Sequence, residues 1–433
     1  MQNTEKVPVV PKAVILPFII ITSLFALWGF ANDITNPMVA AFGTVMEIST
    51  AKAALVQLAF YGGYGTMAIP AALFIRKYSY KSSIILGLTL YAIGALLFYP
   101  AAQFEVFGFF LGSLYILTFG LAFLETTANP FILSMGDERT ATQRLNLAQA
   151  FNPIGSLLGM FVASKFILIS LDSDKRNEAG ELIFTSLSEA EKAIIRTHDL
   201  AVIRNPYVIL GFVVVAMLVI IALVKMPERK VDEKQSSVLS SFSNLWNNGK
   251  YKEGVMAQLF YVAAQIMCWT FIIQYAENLG ISKAEAQNYN IIAMAIFLSS
   301  RFVSTFMMRY VNARQLLMFF ALGAMCTTAG VILIDGILGL YMLIATSAFM
   351  SLMFPTIYGI ALHGLASDDT ALGAAGLVMA IVGGALMPIL QGLIIDMESV
   401  GPFSGVNFSF ILPFLCFCYI ALYGYRAYKV YRY

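Results

Sequence analysis

LAFLETTANP, residues Leu121–Pro130, places the glutamate Glu125 in the middle of an apolar run. An ionised carboxylate at lipid depth is costly unless it is paired, protonated or facing a water-filled cavity, so it marks an ion, proton or substrate path. The plainer alternative is a glutamate fastened to a neighbouring helix as structural glue. Asn129 lies one helical turn on and shares the face of Glu125. Pro130, next in line, weakens the backbone ladder beside both. Together they favour a site over a simple packing contact.

The surrounding chain has the same apolar character. It has 433 residues, 59% of them hydrophobic and only 12% charged, with a mean hydropathy of +0.77. That is too apolar for a soluble multidomain protein. Long apolar runs recur, each near the ~20 residues a helix needs to cross the hydrocarbon layer. Twelve can be counted, and the alternation of an outer-membrane barrel is missing, so the chain reads as an all-α polytopic membrane protein. Cys268, Cys326, Cys416 and Cys418 all sit inside apolar runs and read as small buried hydrophobes. No metal-ligand spacing or disulfide framework appears, so neither a metal nor a cofactor is expected. With His198 and His363 the only histidines and no nucleophile–base motif, an enzyme is not expected either.

The spans fall near residues 15–43, 50–75, 82–102, 106–132, 143–169, 206–225, 253–277, 285–309, 315–334, 339–364, 371–395 and 405–426. The run after the polar N-terminal tail superficially resembles a signal peptide, but its length and internal polar cluster predict a retained first helix. Counting Lys and Arg in alternate connections gives 18 on the side of both termini and eight on the other, six of the eight in or beside the long connection between Lys165 and Arg204. The positive-inside rule then predicts cytoplasmic termini. The charged stretch 226–252 is expected to be a cytoplasmic linker between an N-terminal six-helix half, 1–225, and a C-terminal half, 253–433. Within the long extracytoplasmic connection, Ser188 and Glu191 have the spacing of a capping box that opens a short surface helix.

Polar residues gather at a few depths. The first span reads FALWGFANDITNPM, and Asn32, Asp33 and Asn36 project to one broad face. The fifth opens RLNLAQAFNPIGS, with Asn146, Gln149 and Asn152 in a stripe. Amides both donate and accept, which suits the hydroxyls of a sugar, although hydrogen bonds between helices use the same residues. The seventh span carries Gln258, Tyr261, Gln265 and Trp269 on one face, and the tenth adds Phe354 and Tyr358. Aromatic walls with a few placed polar groups are the usual composition of a small-molecule site. Arg301, inside the eighth span, needs a partner or an aqueous cavity, and a structural role is as natural for it as a functional one. Glycines in the second, fifth and eleventh spans read as close-packing surfaces.

The stretches FALWGFAND, QLAFYGGY, IRKYSYKSSIILGL, FLETTANP, RLNLAQAFNPIG, AQLFYVAAQIMCW and FPTIYGIAL resemble the fucose:proton symporter family of the major facilitator superfamily across nearly all of both halves. The six-plus-six order with a hydrophilic linker is the architecture such a fold requires. The resemblance implies proton-driven uptake of L-fucose or a related hexose across a bacterial cytoplasmic membrane. It places the family's essential fourth-helix glutamate on Glu125 and its fifth-helix glutamine on Gln149. The first-helix aspartate of the family lies where this chain has Asn36, and the carboxylate here is Asp33. The family's Y-P-T-I-F likewise reads Phe354-Pro-Thr-Ile-Tyr358.

The expected arrangement follows from both readings. Glu125 carries the proton with Asp33 coupled to it, and Asn32, Asn36, Asn129, Gln149 and Asn152 bind sugar. Gln258, Tyr261, Gln265, Trp269, Phe354 and Tyr358 form the facing wall. The expected partners are a small-molecule sugar and the lipid bilayer, with no nucleic acid, and the protein is expected to be a monomer. A glucose or galactose transporter, sodium-coupled or not, is the nearer alternative. A non-transporting sugar sensor is the alternative from another class.

Overall fold

The computed structural model describes residues 7–35, 38–48, 50–53, 55–175, 177, 183–226, 237–281, 283–395, 397 and 399–430. Among the described residues twelve helices are long and apolar enough to cross a membrane: Lys12–Thr35, Leu58–Lys77, Tyr80–Phe104, Phe107–Ser134, Glu138–Ser170, Glu189–Leu223, Gly249–Ile272, Asn288–Met307, Ala313–Leu333, Ile337–Leu362, Asp369–Ile395 and Gly405–Lys429. The all-helical fold class and the number of spans expected from hydropathy are therefore what the chain adopts. Of the first-span cluster, Asn36 lies outside the described residues.

Several spans are interrupted, among them the third at Leu97, the eleventh over Ala380–Val382 and the twelfth at Phe410, and in the fifth and tenth, which carry the polar residues, a proline follows the break. The fifth is helical over Ala141–Gln149 and again over Asn152–Val162, with Pro153 in the first turn of the second piece. The tenth is helical over Ile337–Met350 and Met353–Leu362, with Pro355 just inside the second piece. A proline has no N–H to give to the carbonyl four residues back. Pro153 thereby frees the Gln149 carbonyl, and Pro355 frees that of Ser351. Pro130 does not break the fourth span, which runs unbroken over Phe107–Ser134.

The Ser188 capping box forms as its spacing requires, with Glu191 closing it. It does not open a separate surface helix, however. One helix of 35 residues runs from Glu189 to Leu223, through Pro206, so the sixth span continues out of the membrane. Lys192 and Arg196 near its start reach the carboxylate of Glu47 at 2.7 and 3.2 Å, which anchors the protruding end. Beside it, Asp199 is fully buried and accepts from the backbone amides of Asp172 and Ser173 at 2.9 and 2.8 Å, capping the connecting loop.

The chain forms two compact units. One comprises residues 23–127 and 154–228, the other residues 1–22, 128–153 and 229–433. The second unit thus takes in the end of the fourth span and the first piece of the fifth, where the sequence placed its half-boundary near residue 225. Within the stretch 226–252 expected as a linker, a helix covers Val238–Asn247 and the next begins at Gly249.

Close packing inside the first-named unit depends on glycine. A Cβ on Gly155 would lie 1.8 Å from the Ala26 carbonyl oxygen, and one on Gly94 would lie 2.2 Å from the Leu117 amide nitrogen. Helix association in lipid has no hydrophobic drive of its own, so this backbone-to-backbone approach, with its dispersion contacts, takes over the cohesive role.

Candidate functional site

Both intramembrane carboxylates of the first-named unit are met by tyrosines of one helix. The Tyr64 hydroxyl hydrogen-bonds the Glu125 carboxyl group, and Asp33, which is buried, lies within electrostatic range of Tyr61. Tyr61 and Tyr64 are one turn apart on the second span, so a single helix face addresses both acids. Phe60 packs against the two rings, 5.6 Å from Tyr61 and 6.1 Å from Tyr64. Glu125 itself is half-buried, and so is Asn32. The sequence reading took QLAFYGGY for its close-packing glycines and as one stretch of the family resemblance, and did not single out the tyrosines. The available signal was their one-turn spacing beside small residues that let a neighbouring helix approach.

In the other unit the amides find one another. Gln149 Nε2 donates to Asn129 Oδ1 at 2.8 Å, and both side chains are buried. Asn146, one turn before Gln149, donates to the Thr356 hydroxyl at 3.1 Å. Gln143 donates to the Thr305 carbonyl at 3.0 Å, so the first piece of the fifth span is joined by hydrogen bonds to the eighth and tenth spans. Asn152, which opens the second piece, is half-buried.

Arg301 ties this cluster together. It is almost wholly buried, and its guanidinium donates from Nη1 to the Gln149 carbonyl at 3.0 Å and from Nε to the Ser351 carbonyl. These are the two carbonyls that the proline breaks set free. The guanidinium also stands 4.6 Å from the Phe297 ring centroid. Phe297 in turn meets Trp269 edge-on at 4.9 Å. A chain of contacts therefore runs from the fifth-span amides through Arg301 to the aromatic residues of the seventh span.

The seventh-span stripe divides into two pairs. Gln258 and Tyr261 are fully buried, whereas Gln265 and Trp269 are partly exposed. The Tyr261 hydroxyl donates to the Met350 carbonyl at 3.1 Å and is hydrogen-bonded to Gln265, which uses another carbonyl at the end of a helix piece. Trp269 Nε1 donates to the Ser347 hydroxyl at 3.1 Å. Neither nitrogen nor oxygen of the Gln258 amide has a hydrogen-bond partner in the structure. Phe354 is 6.2 Å from Tyr261 and 6.3 Å from the buried Tyr358 ring, and stacks on the latter. A groove of about 460 Å³ follows one face of the eighth span past Ile296, Ser300 and Val303. It holds none of the residues singled out from the sequence.

Comparison with known proteins agrees with this architecture. Residues 18–388 match the Major Facilitator Superfamily. The chain is 68% identical to the L-fucose-proton symporter of Haemophilus influenzae over 98% of its own length and 99% of the relative's. It is 33% identical to the L-fucose-proton symporter of Escherichia coli K12, covering 95% and 93% of the two chains. It is also 30% identical to a glucose/galactose transporter of Brucella abortus, covering 93% and 92%. A crystal structure of the E. coli fucose:proton symporter superposes with a TM-score of 0.87 at 31% identity, covering 96% of this chain and 99% of that one.

Proposed function

Since the chain belongs to the Major Facilitator Superfamily, we propose that it is a secondary active transporter that moves L-fucose, or a closely related hexose, together with protons by alternating access. The observation that carries the choice of substrate and coupling is its 68% identity, over nearly the whole of both chains, to a protein named L-fucose-proton symporter. Glu125 and Asp33 are its coupling groups. Tyr64 donates to the Glu125 carboxylate when it is charged, and that bond weakens when the group takes up a proton and loses its charge while keeping an acceptor oxygen, so the tyrosine registers the protonation state. The partly exposed Gln265, Trp269 and Phe354 offer a stacking surface and an amide to a sugar, while Asn129, Gln149 and Arg301 set the shape of the fifth-span break.

Coupling follows from cost. A bare charge at the membrane midplane opposes rearrangement, and neutralising it by a proton while sugar is bound allows it. Both termini face the cytoplasm in this reading, the transporter acts as a monomer in a bacterial cytoplasmic membrane, and the proton is the coupling ion. Glucose or galactose as substrate is the second reading, favoured by the 30% identical Brucella relative. Uptake of a panel of labelled hexoses into proteoliposomes, under an imposed pH gradient and then a sodium gradient, tests both. L-fucose accumulation driven by the pH gradient is expected. Sodium-driven uptake would move the coupling ion, and no flux of any hexose would end the proposal.

A further inference from the structure

The helix Val238–Asn247, VLSSFSNLWN, is capped at its start by Ser237, whose hydroxyl accepts from the Ser240 amide at 3.1 Å. Its two faces differ sharply. Ser241 and Leu245 are buried, and Asn244 Nδ2 donates to the carboxylate of Asp369 at 3.2 Å, so the inner face is fastened to the start of the eleventh span. On the outer face Leu239 is 81% exposed, Trp246 75% and Phe242 44%. Their spacing of three and four residues aligns them along one stripe. A leucine and a tryptophan this open, on a helix with no charged residue, are out of place in water.

The helix also has a fixed place along the chain. Trp246 comes just before Gly249, where the seventh span begins with the polar residues GKYKEG, 249–254, ahead of its apolar run. The stripe is therefore next to a point where the chain enters the bilayer. Lys252 Nζ stands 5.9 Å from the Trp246 ring centroid, placing an ammonium group beside the indole as at a headgroup boundary, where tryptophan and lysine both concentrate.

We propose that Val238–Asn247 is an interfacial helix whose Leu239–Phe242–Trp246 face is seated in the bilayer surface on the linker's side. It sits about 5–10 Å into the boundary between headgroups and acyl chains, as amphipathic helices of this kind do. Through Asn244 and Asp369 the same helix holds the start of the eleventh span, so Val238–Asn247 is a lipid-seated brace.

The full-length protein in phosphatidylcholine vesicles tests this through its three tryptophans. Subtracting the emission of Trp246→Phe from that of the unsubstituted protein isolates Trp246. The expected difference spectrum is blue-shifted, quenched by lipids brominated near the headgroup more than by lipids brominated at the chain end, and little affected by aqueous acrylamide. A Trp246 component untouched by brominated lipid would overturn the proposal. This holds whether acrylamide then quenches it, showing contact with water, or leaves it alone, showing contact with a second copy of the chain. A second variant, Leu239→Trp in the Trp246→Phe background, moves the reporter along the stripe and should give the same lipid-quenched signal.

Discussion

Arg301 Nη1 donates to the Gln149 carbonyl at 3.0 Å, the group that Pro153 leaves without an amide. Its Nε donates to the Ser351 carbonyl, freed in the same way by Pro355. One buried guanidinium thus satisfies two helix breaks on different spans. A lysine could not, since its single ammonium lacks the fixed fork of donors.

Replacing Arg301 by Met leaves two buried carbonyls unpaired at roughly 1–3 kcal/mol each. The expected outcome is a clearly lower unfolding temperature in detergent and loss of sugar exchange. Adding Pro153→Ala to Arg301→Met gives the Gln149 carbonyl a backbone donor again and should recover part of the stability. No recovery in the double variant would mean that the Gln149 contact is incidental.

The hydrogen bond between Tyr64 and Glu125 separates coupling from movement. Glu125→Gln should still exchange labelled sugar across the membrane yet fail to accumulate it under a pH gradient. Tyr64→Phe removes one hydrogen bond to a charged group, worth about tenfold or more in the balance between its states. It should weaken accumulation while leaving exchange largely intact. Accumulation unimpaired in Glu125→Gln would remove that residue from the coupling role.

The Gln258 amide is fully buried and without a partner in the structure, a situation that costs about 1–3 kcal/mol. Gln258→Met keeps the volume and removes the polar atoms, so thermal unfolding should occur at the same temperature or higher. A marked fall would show that the amide is instead held by an ordered water or by ligand.

His363, just beyond the tenth span, gives a pH signature. Its Nε2 is 3.3 Å from Glu138, yet burial, with Lys250 and Arg314 nearby, outweighs that carboxylate and pushes its pKa below the ordinary value of 6.5. The unfolded chain therefore binds the proton more readily. Stability is full above about pH 6.5 and declines as pH falls through the folded value. His363→Gln should flatten that part of the stability profile. Asp137 is drawn down from 3.8 to about 2 by its hydrogen bonds with Arg139. Its contribution is lost only as the pH falls from about 3.8 towards about 2.

Much of this molecule can be read directly from the chain. Twelve apolar runs follow from composition because a helix must satisfy its own backbone in lipid. Glu125, Asp33 and Arg301 are visible as charges where charge is costly. The capping box at Ser188 is local chemistry and formed as read. The length of its helix was misjudged, because hydropathy marks where a helix enters lipid and not where it starts.

Site geometry was harder to see. The stripes of the fifth and seventh spans were identified by periodicity, which gives a shared face but not what covers it. In the fold, Gln149 and Asn129 bond each other, and Gln258 and Tyr261 are closed off, leaving Gln265 and Trp269 partly open. Tyr61 and Tyr64 were not singled out, because their one-turn spacing beside small residues shows a shared face but not which acid, if any, that face meets.

By itself the sequence determined the membrane class, the number of spans and the residues whose charge demands an explanation, since each follows from transfer costs along a single helix. Only the tertiary structure decided which groups answer those demands. Tyr64 for Glu125, and two proline-freed carbonyls for Arg301, come from helices far apart in the chain, and hydrogen-bond partnership depends on a few ångströms that no one-dimensional pattern encodes.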